Sequence, residues 1–256
     1  MSGPHLIKHQ QFFSRHLRNQ RDLIVYLPPG YDQQPHRAFP VLYLHDGQNL
    51  FDGSTAFGGT DWHVGQTADH FIYQGQVEPL IIVGIYNTGK ERLREYTPTR
   101  APRLGGGSAN RYAKFLLEEV RPFLRNTYRI LEGPENTGIG GSSLGGLVSL
   151  YLGLRKPKIF GRIAALSPSV WWNERVILRF AAAAPVRPLP RVWLDIGTRE
   201  GPRIVDDVER FRDILLGKGW HLGRDLQYQR IEGGEHNESA WAQRVGPFLQ
   251  FLFPVR

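Results

Sequence analysis

The chain has 256 residues, of which 41% are hydrophobic and 22% are charged, and this is typical of a folded globular protein with a substantial core. It has no cysteine, which excludes disulfides, thiolate metal sites and a cysteine nucleophile. No apolar run approaches the length of a membrane span. The formal net charge of +8 comes from Lys and Arg residues spread among Asp and Glu. This pattern predicts a solvated surface, or weak steering of anionic substrates, rather than a nucleic-acid site.

The length and the even composition predict one domain over residues 1–256. The first residues contain no apolar segment of the kind that a secretory signal requires, so we expect a cytoplasmic location.

The first part of the chain is predicted to hold four strands and one helix. The strands cover residues 9–17, 22–28, 39–45 and 79–85. The third and fourth are continuous apolar runs, typical of strands that are buried on both faces. A helix is predicted over residues 61–73. The polar segment 87–110 predicts a long loop, which is either functional or a flexible excursion.

The second part of the chain alternates helices and strands more regularly. Helices are predicted over residues 109–127, 201–217 and 238–253, and strands over residues 162–166, 192–196 and 226–231. A proline-punctuated linker is expected at residues 185–191. This alternation predicts an α/β fold with a mostly parallel sheet covered by helices on both faces. Ligands of such a fold bind at the carboxyl ends of the strands.

Residues 138–151 predict a strand, a tight turn and a helix around Gly141-Ser142-Ser143-Leu144-Gly145. A serine at the apex of such a turn projects its hydroxyl from the sheet, and its neighbours must be small because strand and helix nearly collide. Ser143 fits the apex, whereas an apex at Ser142 would place Leu144 where a small residue is required. The Leu144 N–H, at the start of the helix, then becomes a donor to a developing oxyanion.

A serine nucleophile needs a base and an acid, and in this fold class the acid precedes the histidine along the chain. His221 and His236 both follow Ser143. The sequence favours His236, because it follows the last predicted strand and a loop there can reach Ser143. Glu200 lies just past a predicted strand and is favoured as the acid. Asp195, within that strand, stays the alternative and needs a hydrogen-bonding partner if it is buried.

A metal ion is the other means of activating water. His45, Asp46, Asp61 and His63 carry possible ligand groups, but no compact metal-binding spacing connects them. We therefore expect neither a metal nor a cofactor.

Six segments of the chain together carry a family resemblance. They are YLHDGQNLFD (43–52), REYTP (94–98), GGSSLGG (140–146), SPSVWW (167–172), GTRE (197–200) and GGEH (233–236). In these segments the sequence resembles the esterase family that includes enterochelin esterases, esterase D-type enzymes, and feruloyl and acetylxylan esterase modules.

The resemblance implies an α/β-hydrolase fold without a large cap domain, with Ser143 as nucleophile and His236 as base. Relatives have an acid after the corresponding late strand, which supports Glu200, although some members are described as using a serine–histidine dyad. Similarity to the related mycolyltransferases implies that the second oxyanion donor is the N–H of Gln48. The loop that follows residues 39–45 lies where such a donor is needed.

Relatives cleave acyl groups from sugars, aryl alcohols or siderophore lactones, so the implied function is a serine carboxylesterase acting on a small-molecule ester. The candidate substrate contacts are Asp46, Asn49, Trp62, Arg94, Trp171 and Trp172. The tryptophans could form an aromatic wall or fill the core, and Arg94 or Arg111 could bind an anion or form structural ion pairs. Acyl transfer to an alcohol is the alternative among enzymes. A non-catalytic binder of carbohydrate or aromatic ligands is the alternative outside them.

Overall fold

Eight strands form one sheet in the computed structural model, which describes residues 3–184 and 188–255. The strands of the chain are β1 (His5–Ser14), β2 (Asn19–Leu27), β3 (Val41–His45), β4 (Ile81–Ile85), β5 (Arg100–Ala101), β6 (Gly105–Gly106), β7 (Thr137–Ser142), β8 (Arg162–Leu166), β9 (Arg191–Gly197) and β10 (Leu226–Ile231). The sheet order is β1-β2-β4-β3-β7-β8-β9-β10, and β5 pairs with β6 separately. In the order of the sheet, the six strands from β4 to β10 run parallel, whereas β2 runs antiparallel to both of its neighbours, β1 and β4. The predicted mostly parallel sheet is confirmed.

Helices cover both faces of this sheet. They are α1 (Val64–Tyr73), α2 (Arg92–Glu95), α3 (Ala109–Lys114), α4 (Arg121–Thr127), α5 (Leu144–Arg155), α6 (Trp172–Ala183), α7 (Pro202–Gly217), α8 (Glu238–Ala242) and α9 (Val245–Leu252). Alternate residues of β3 show the two faces, because Tyr43 packs in the core that holds residues of α5 and α7, while Leu44 packs in the core that holds residues of α1 and α9. Within the described residues, no inserted cap domain interrupts the alternation.

Most differences from the sequence predictions concern boundaries. The turn between β1 and β2 comes earlier than predicted, with Arg18 at a positive φ of 56°, and β2 begins at Asn19. The helix predicted over residues 109–127 is continuous but contains a π-helical stretch, Phe115–Val120. The helix predicted over residues 238–253 is two helices, α8 and α9. Of the predicted linker, residues 185–187 lie outside the described part of the chain.

The topology brings four loops to the same edge of the sheet. The segments that follow β3, β7, β9 and β10 carry Gln48, Ser143, Glu200 and His236, respectively. The ends of parallel strands meet at one edge, so these residues come from distant parts of the sequence into one region. In the described part of the chain, no helix combines the length and the apolar character needed to cross a membrane.

Candidate active site

Ser143 is the single residue between β7 and α5, and its backbone is strained. Its φ is 55° and its ψ is −120°, a conformation that a residue with a side chain rarely adopts. The flanking glycines are needed because of close approach. A Cβ on Gly141 would lie 3.2 Å from the Cα of Gly145 and 3.1 Å from the Cβ of His45. The turn therefore has the geometry predicted from its Gly-x-Ser-x-Gly pattern.

The Ser143 cavity, which we define as the cavity lined by Ser143, Gln48, Arg92, His236, Glu238 and Trp241 among others, has a volume of about 420 Å³. A second cavity of about 470 Å³ is lined by Trp193, Ile231 and Arg244, and neither Ser143 nor His236 lines it. The Ser143 cavity is therefore the place where a serine and a histidine can act on one ligand.

His236 is held by a carboxylate. Its Nδ1 lies 2.6 Å from Oε2 of Glu200, whose side chain is only 2% exposed. The His236 ring also packs edge-on against Trp241, with 4.8 Å between the ring centroids. Since Nδ1 is engaged by Glu200, Nε2 is the ring nitrogen left for Ser143 or a substrate.

Ser167, the residue after β8, fixes the other oxygen of Glu200. Its Oγ accepts hydrogen bonds from Trp241 Nε1 at 3.1 Å and Arg244 Nη1 at 2.9 Å. Its hydroxyl hydrogen is then donated to Glu200 Oε1, at 2.6 Å. The N–H of Gly197 donates to the same Glu200 oxygen at 2.9 Å. Sequence reasoning named the 167–172 segment but missed this contact, although its position at a strand end was a usable signal.

The pKa of Glu200 reflects these contacts. Burial acts to raise it, but the hydrogen bonds from His236, Ser167 and Gly197 outweigh burial and hold the pKa below its ordinary value. Glu200 is therefore an ionised acceptor that orients the His236 ring.

Asp195, the alternative acid, makes different contacts. Its carboxylate lies 2.6 Å from Arg244 Nη1 and also accepts from Trp193 Nε1 at 2.7 Å. Both side chains of the Asp195–Arg244 pair are almost fully buried. Burial raises the pKa of Asp195, although Arg244 acts in the opposite direction. Asp195 thus has the buried partner that the sequence required, and that partner is not His236.

The turn that carries Gln48 is held by hydrogen bonds to Asp46 and by close packing of Gly47 against β4. Asp46, just before the turn, is left-handed with φ 57° and ψ 47°. Arg92 grips its carboxylate with two hydrogen bonds of 2.8 and 2.7 Å, and Asn87 donates a third of 2.7 Å. A Cβ on Gly47 would lie 2.5 Å from the carbonyl carbon of Gly84, so the turn rests directly on β4.

Asp46 lines the Ser143 cavity, and both oxygens of its carboxylate accept hydrogen bonds that hold the turn. Burial acts to raise its pKa, but Arg92 and Asn87 keep the pKa below the ordinary value. Arg92 and Asn87 are functional candidates that sequence reasoning missed. The long polar segment 87–110, which contains Arg92, was the available signal, and it is ordered here by α2 and the β5–β6 hairpin.

The remaining candidate substrate contacts divide by burial. Asn49 lines the Ser143 cavity. The aromatic-wall interpretation is wrong for Trp62 and Trp172, because they are 1% and 0% exposed and fill the core. Trp171 is 41% exposed but does not line the cavity. Arg94 also lies outside the cavity lining and pairs with Glu91 at 3.1 Å, as its structural alternative predicted.

The possible metal ligands do not come together as the ligand set of one metal ion in the described residues. His45 is buried with its Nδ1 2.9 Å from the hydroxyl of Tyr112, and Asp61 contacts His63 at 3.2 Å. Among residues 3–184 and 188–255, no three His, Asp or Glu side chains are placed to hold a metal ion together.

Burial of His45 predicts a pH dependence of stability. Burial lowers its pKa from 6.5 to about 3, so the folded protein keeps His45 neutral where the unfolded chain protonates it. Above pH 6.5, His45 is neutral in both states and does not lower the free energy of unfolding. As the pH falls from 6.5 toward 3, protonation of the unfolded chain lowers the free energy of unfolding by up to about 1.4 kcal/mol per pH unit. The free energy of unfolding, measured in urea between pH 7 and 4, should fall less steeply with falling pH in His45→Gln than in the wild type. Equal slopes would contradict the assignment.

The strained turn and the parallel sheet define the class of protein. The fold is of the α/β-hydrolase type, as in the crystal structure of BES protein from Bacillus cereus. That structure matches with a TM-score of 0.77 at 22% sequence identity, over 100% of this chain and 96% of that chain. The family described as "Putative esterase" matches residues 14–251, and the chain therefore belongs to this esterase family.

Two curated relatives come from Bacillus subtilis strain 168. The uncharacterized protein YbbA is 29% identical over 195 residues, which cover 73% of this chain and 72% of YbbA. The ferri-bacillibactin esterase BesA is 31% identical over 161 residues, covering 57% of this chain and 53% of BesA. Membership of this family, with siderophore and feruloyl esterases among its relatives, supports ester hydrolysis.

Proposed function

We propose that the protein is a serine carboxylesterase that forms an acyl-enzyme on Ser143. One observation carries this proposal. The only residue between β7 and α5 is a serine in a strained conformation, and it shares a cavity with a histidine that a buried carboxylate orients. Family membership supplies the reaction class, and the cavity supplies the groups that such a reaction needs.

In the proposed acylation step, His236 removes the proton from Ser143 Oγ as that oxygen attacks the ester carbonyl. Glu200 holds the ring through Nδ1 and stabilises the imidazolium that forms. The imidazolium then protonates the departing alkoxide. A water molecule, deprotonated by His236, attacks the acyl-enzyme carbonyl. The bond to Ser143 Oγ then breaks as the imidazolium returns the proton to that oxygen, which releases the carboxylic acid and restores the Ser143 hydroxyl.

The negative charge on the tetrahedral intermediate needs preorganised donors. We assign the N–H of Leu144, the first residue of α5, and the N–H of Gln48. The support for Leu144 is its position at a helix N-terminus beside Ser143. The support for Gln48 is that its turn lines the same cavity and is fixed by the ion pair between Arg92 and Asp46.

Covalent labelling tests the proposal directly. After incubation with a fluorophosphonate, the intact protein is expected to gain the mass of one adduct, and peptide mapping should place that adduct on Ser143. Hydrolysis of p-nitrophenyl acetate and butyrate should fall in proportion to the labelled fraction. An adduct on Ser142 or Ser169, or full hydrolysis by fully labelled protein, would refute the assignment of Ser143.

A further inference from the structure

Glu238 carries a carboxylate that lines the Ser143 cavity and that the proposed mechanism does not use. It is the first residue of α8, two positions after His236, and it is partly buried. Its Oε1 accepts one hydrogen bond, from Nδ2 of Asn49 at 3.0 Å. Both residues line the cavity, so this contact sits in the wall that a bound substrate would face.

The basic side chains that line the cavity with Glu238 are bonded to other carboxylates. Arg92 is committed to Asp46 by two hydrogen bonds, and His236 is committed to Glu200. In the part of the chain that the structure describes, Glu238 belongs to no ion pair. Burial raises the pKa of Glu238 and the carboxylate of Asp46 adds to the rise, whereas the Glu238 backbone N–H, His236 and Arg92 act in the opposite direction and offset it only in part.

The formal net charge of +8 favours the opposite kind of ligand, because a positive protein attracts anions. That charge is spread over the surface, where salt screens it within about 8–10 Å. The Glu238 carboxylate is in the cavity wall, where it can act on a bound ligand at contact distance and is screened less by salt.

We propose that Glu238 is a specificity residue for the esterase reaction proposed above. It accepts hydrogen bonds from the hydroxyls of a sugar or attracts a cationic nitrogen by its charge, and it disfavours esters that carry an anionic group. The substrate class is therefore a neutral hydroxylated ester or a cationic ester. This inference rests on the proposed function.

The test compares esters that share an acyl group. Acetate esters of four alcohols cover the possible charges: methyl 6-O-acetylglucopyranoside, acetylcholine, 4-acetoxybutanoate and cyclohexylmethyl acetate. All four form the same acetyl-enzyme, so differences in kcat/KM report recognition of the alcohol. p-Nitrophenyl butyrate and p-nitrophenyl hemisuccinate provide the same comparison on the acyl side.

We expect Glu238→Gln to raise the ratio of kcat/KM for the anionic ester to kcat/KM for the neutral apolar ester by about 10-fold, among the acetate esters, the p-nitrophenyl esters or both. For whichever of the glucoside and acetylcholine the wild type prefers, kcat/KM should fall by a similar factor. Loss with the glucoside identifies hydroxyl recognition, and loss with acetylcholine identifies recognition of a cation. Glu118→Gln makes the same change of charge outside the cavity, where Glu118 pairs with His16, and should leave all ratios unchanged.

Labelling of Ser143 by the fluorophosphonate separates the two possible failures. If Glu238→Gln is labelled like the wild type and all substrate ratios stay the same, the role of Glu238 is refuted and the proposed function stands. If the wild type is neither labelled nor active on any of the esters, the proposed function fails and the inference fails with it.

Discussion

Replacing Ser143 with alanine is expected to lower kcat for ester hydrolysis by about 10⁴- to 10⁶-fold and to leave the fold intact. The variant loses the oxygen that forms the acyl-enzyme, and no neighbouring hydroxyl can replace it. One candidate is Ser169, whose Oγ lies 3.3 Å from Ser143 Oγ. However, Ser169 is not at the strained apex that precedes α5. Rates are to be measured with p-nitrophenyl butyrate, with the free energy of unfolding as the control for folding.

Ser142→Ala and Ser169→Ala are the matched controls, because each removes one hydroxyl beside Ser143. Both should keep the fluorophosphonate adduct and most of the turnover. Substantial turnover by Ser143→Ala, in a sample whose mass excludes wild-type protein, would rule out the acyl-enzyme mechanism. Loss of labelling in Ser142→Ala alone would move the apex by one residue.

The second large effect concerns stability. Replacing Asp195 with alanine is expected to lower the free energy of unfolding by about 3–5 kcal/mol, because it leaves the Arg244 guanidinium buried without a counter-charge. In the described residues, Arg244 pairs with no other carboxylate, and its Nε and Nη2 already lack partners. The double variant Asp195→Leu/Arg244→Met should recover part of the loss, since it removes both charges. Urea unfolding measures each value.

Glu200→Gln is the contrasting variant. It keeps an oxygen that can accept from Ser167 and Gly197 but removes the charge opposite His236. We expect kcat to fall by about 10²- to 10⁴-fold, with a much smaller change in the free energy of unfolding than in Asp195→Ala. If Asp195→Ala is instead stable and inactive while Glu200→Gln is active, the acid is Asp195 and our proposal is wrong.

The parts of the site that follow from local sequence could be predicted. The apex position of Ser143 depends on residues within a few positions of it, and the glycines on either side record the close approach of strand and helix. The proximity of His236 and Glu200 followed from a rule about strand ends, which needs only the order of elements. Their catalytic roles stay predictions.

The contacts that fix these groups could not be predicted, because they join residues far apart in the sequence. Arg92 reaches Asp46 across 46 positions, and Arg244 reaches Ser167 across 77. No periodicity or local motif encodes such a pairing. For the same reason the sequence does not show that Trp62 and Trp172 are buried, because a tryptophan in a loop-like segment can equally well line a binding site or fill the core.

Boundary errors have local causes. The turn between β1 and β2 was placed at its most polar residues, but the chain reverses where Arg18 takes a positive φ. The sequence predicts one closing helix over residues 238–253, but the structure breaks it at Gln243 and Arg244.

The placement of the four site loops also bears on how the protein regains function after unfolding. Gln48 and His236 lie far apart in the chain, and Ser143 and Glu200 follow two separate strands between them. Pairings of high sequence separation form slowly, because closing long loops costs entropy before the contacts form. Helices and the β1–β2 hairpin can form early without bringing any two of these loops together. We therefore expect recovery of a reactive serine to require the part of the sheet from β3 to β10, and to lag behind recovery of the helical signal.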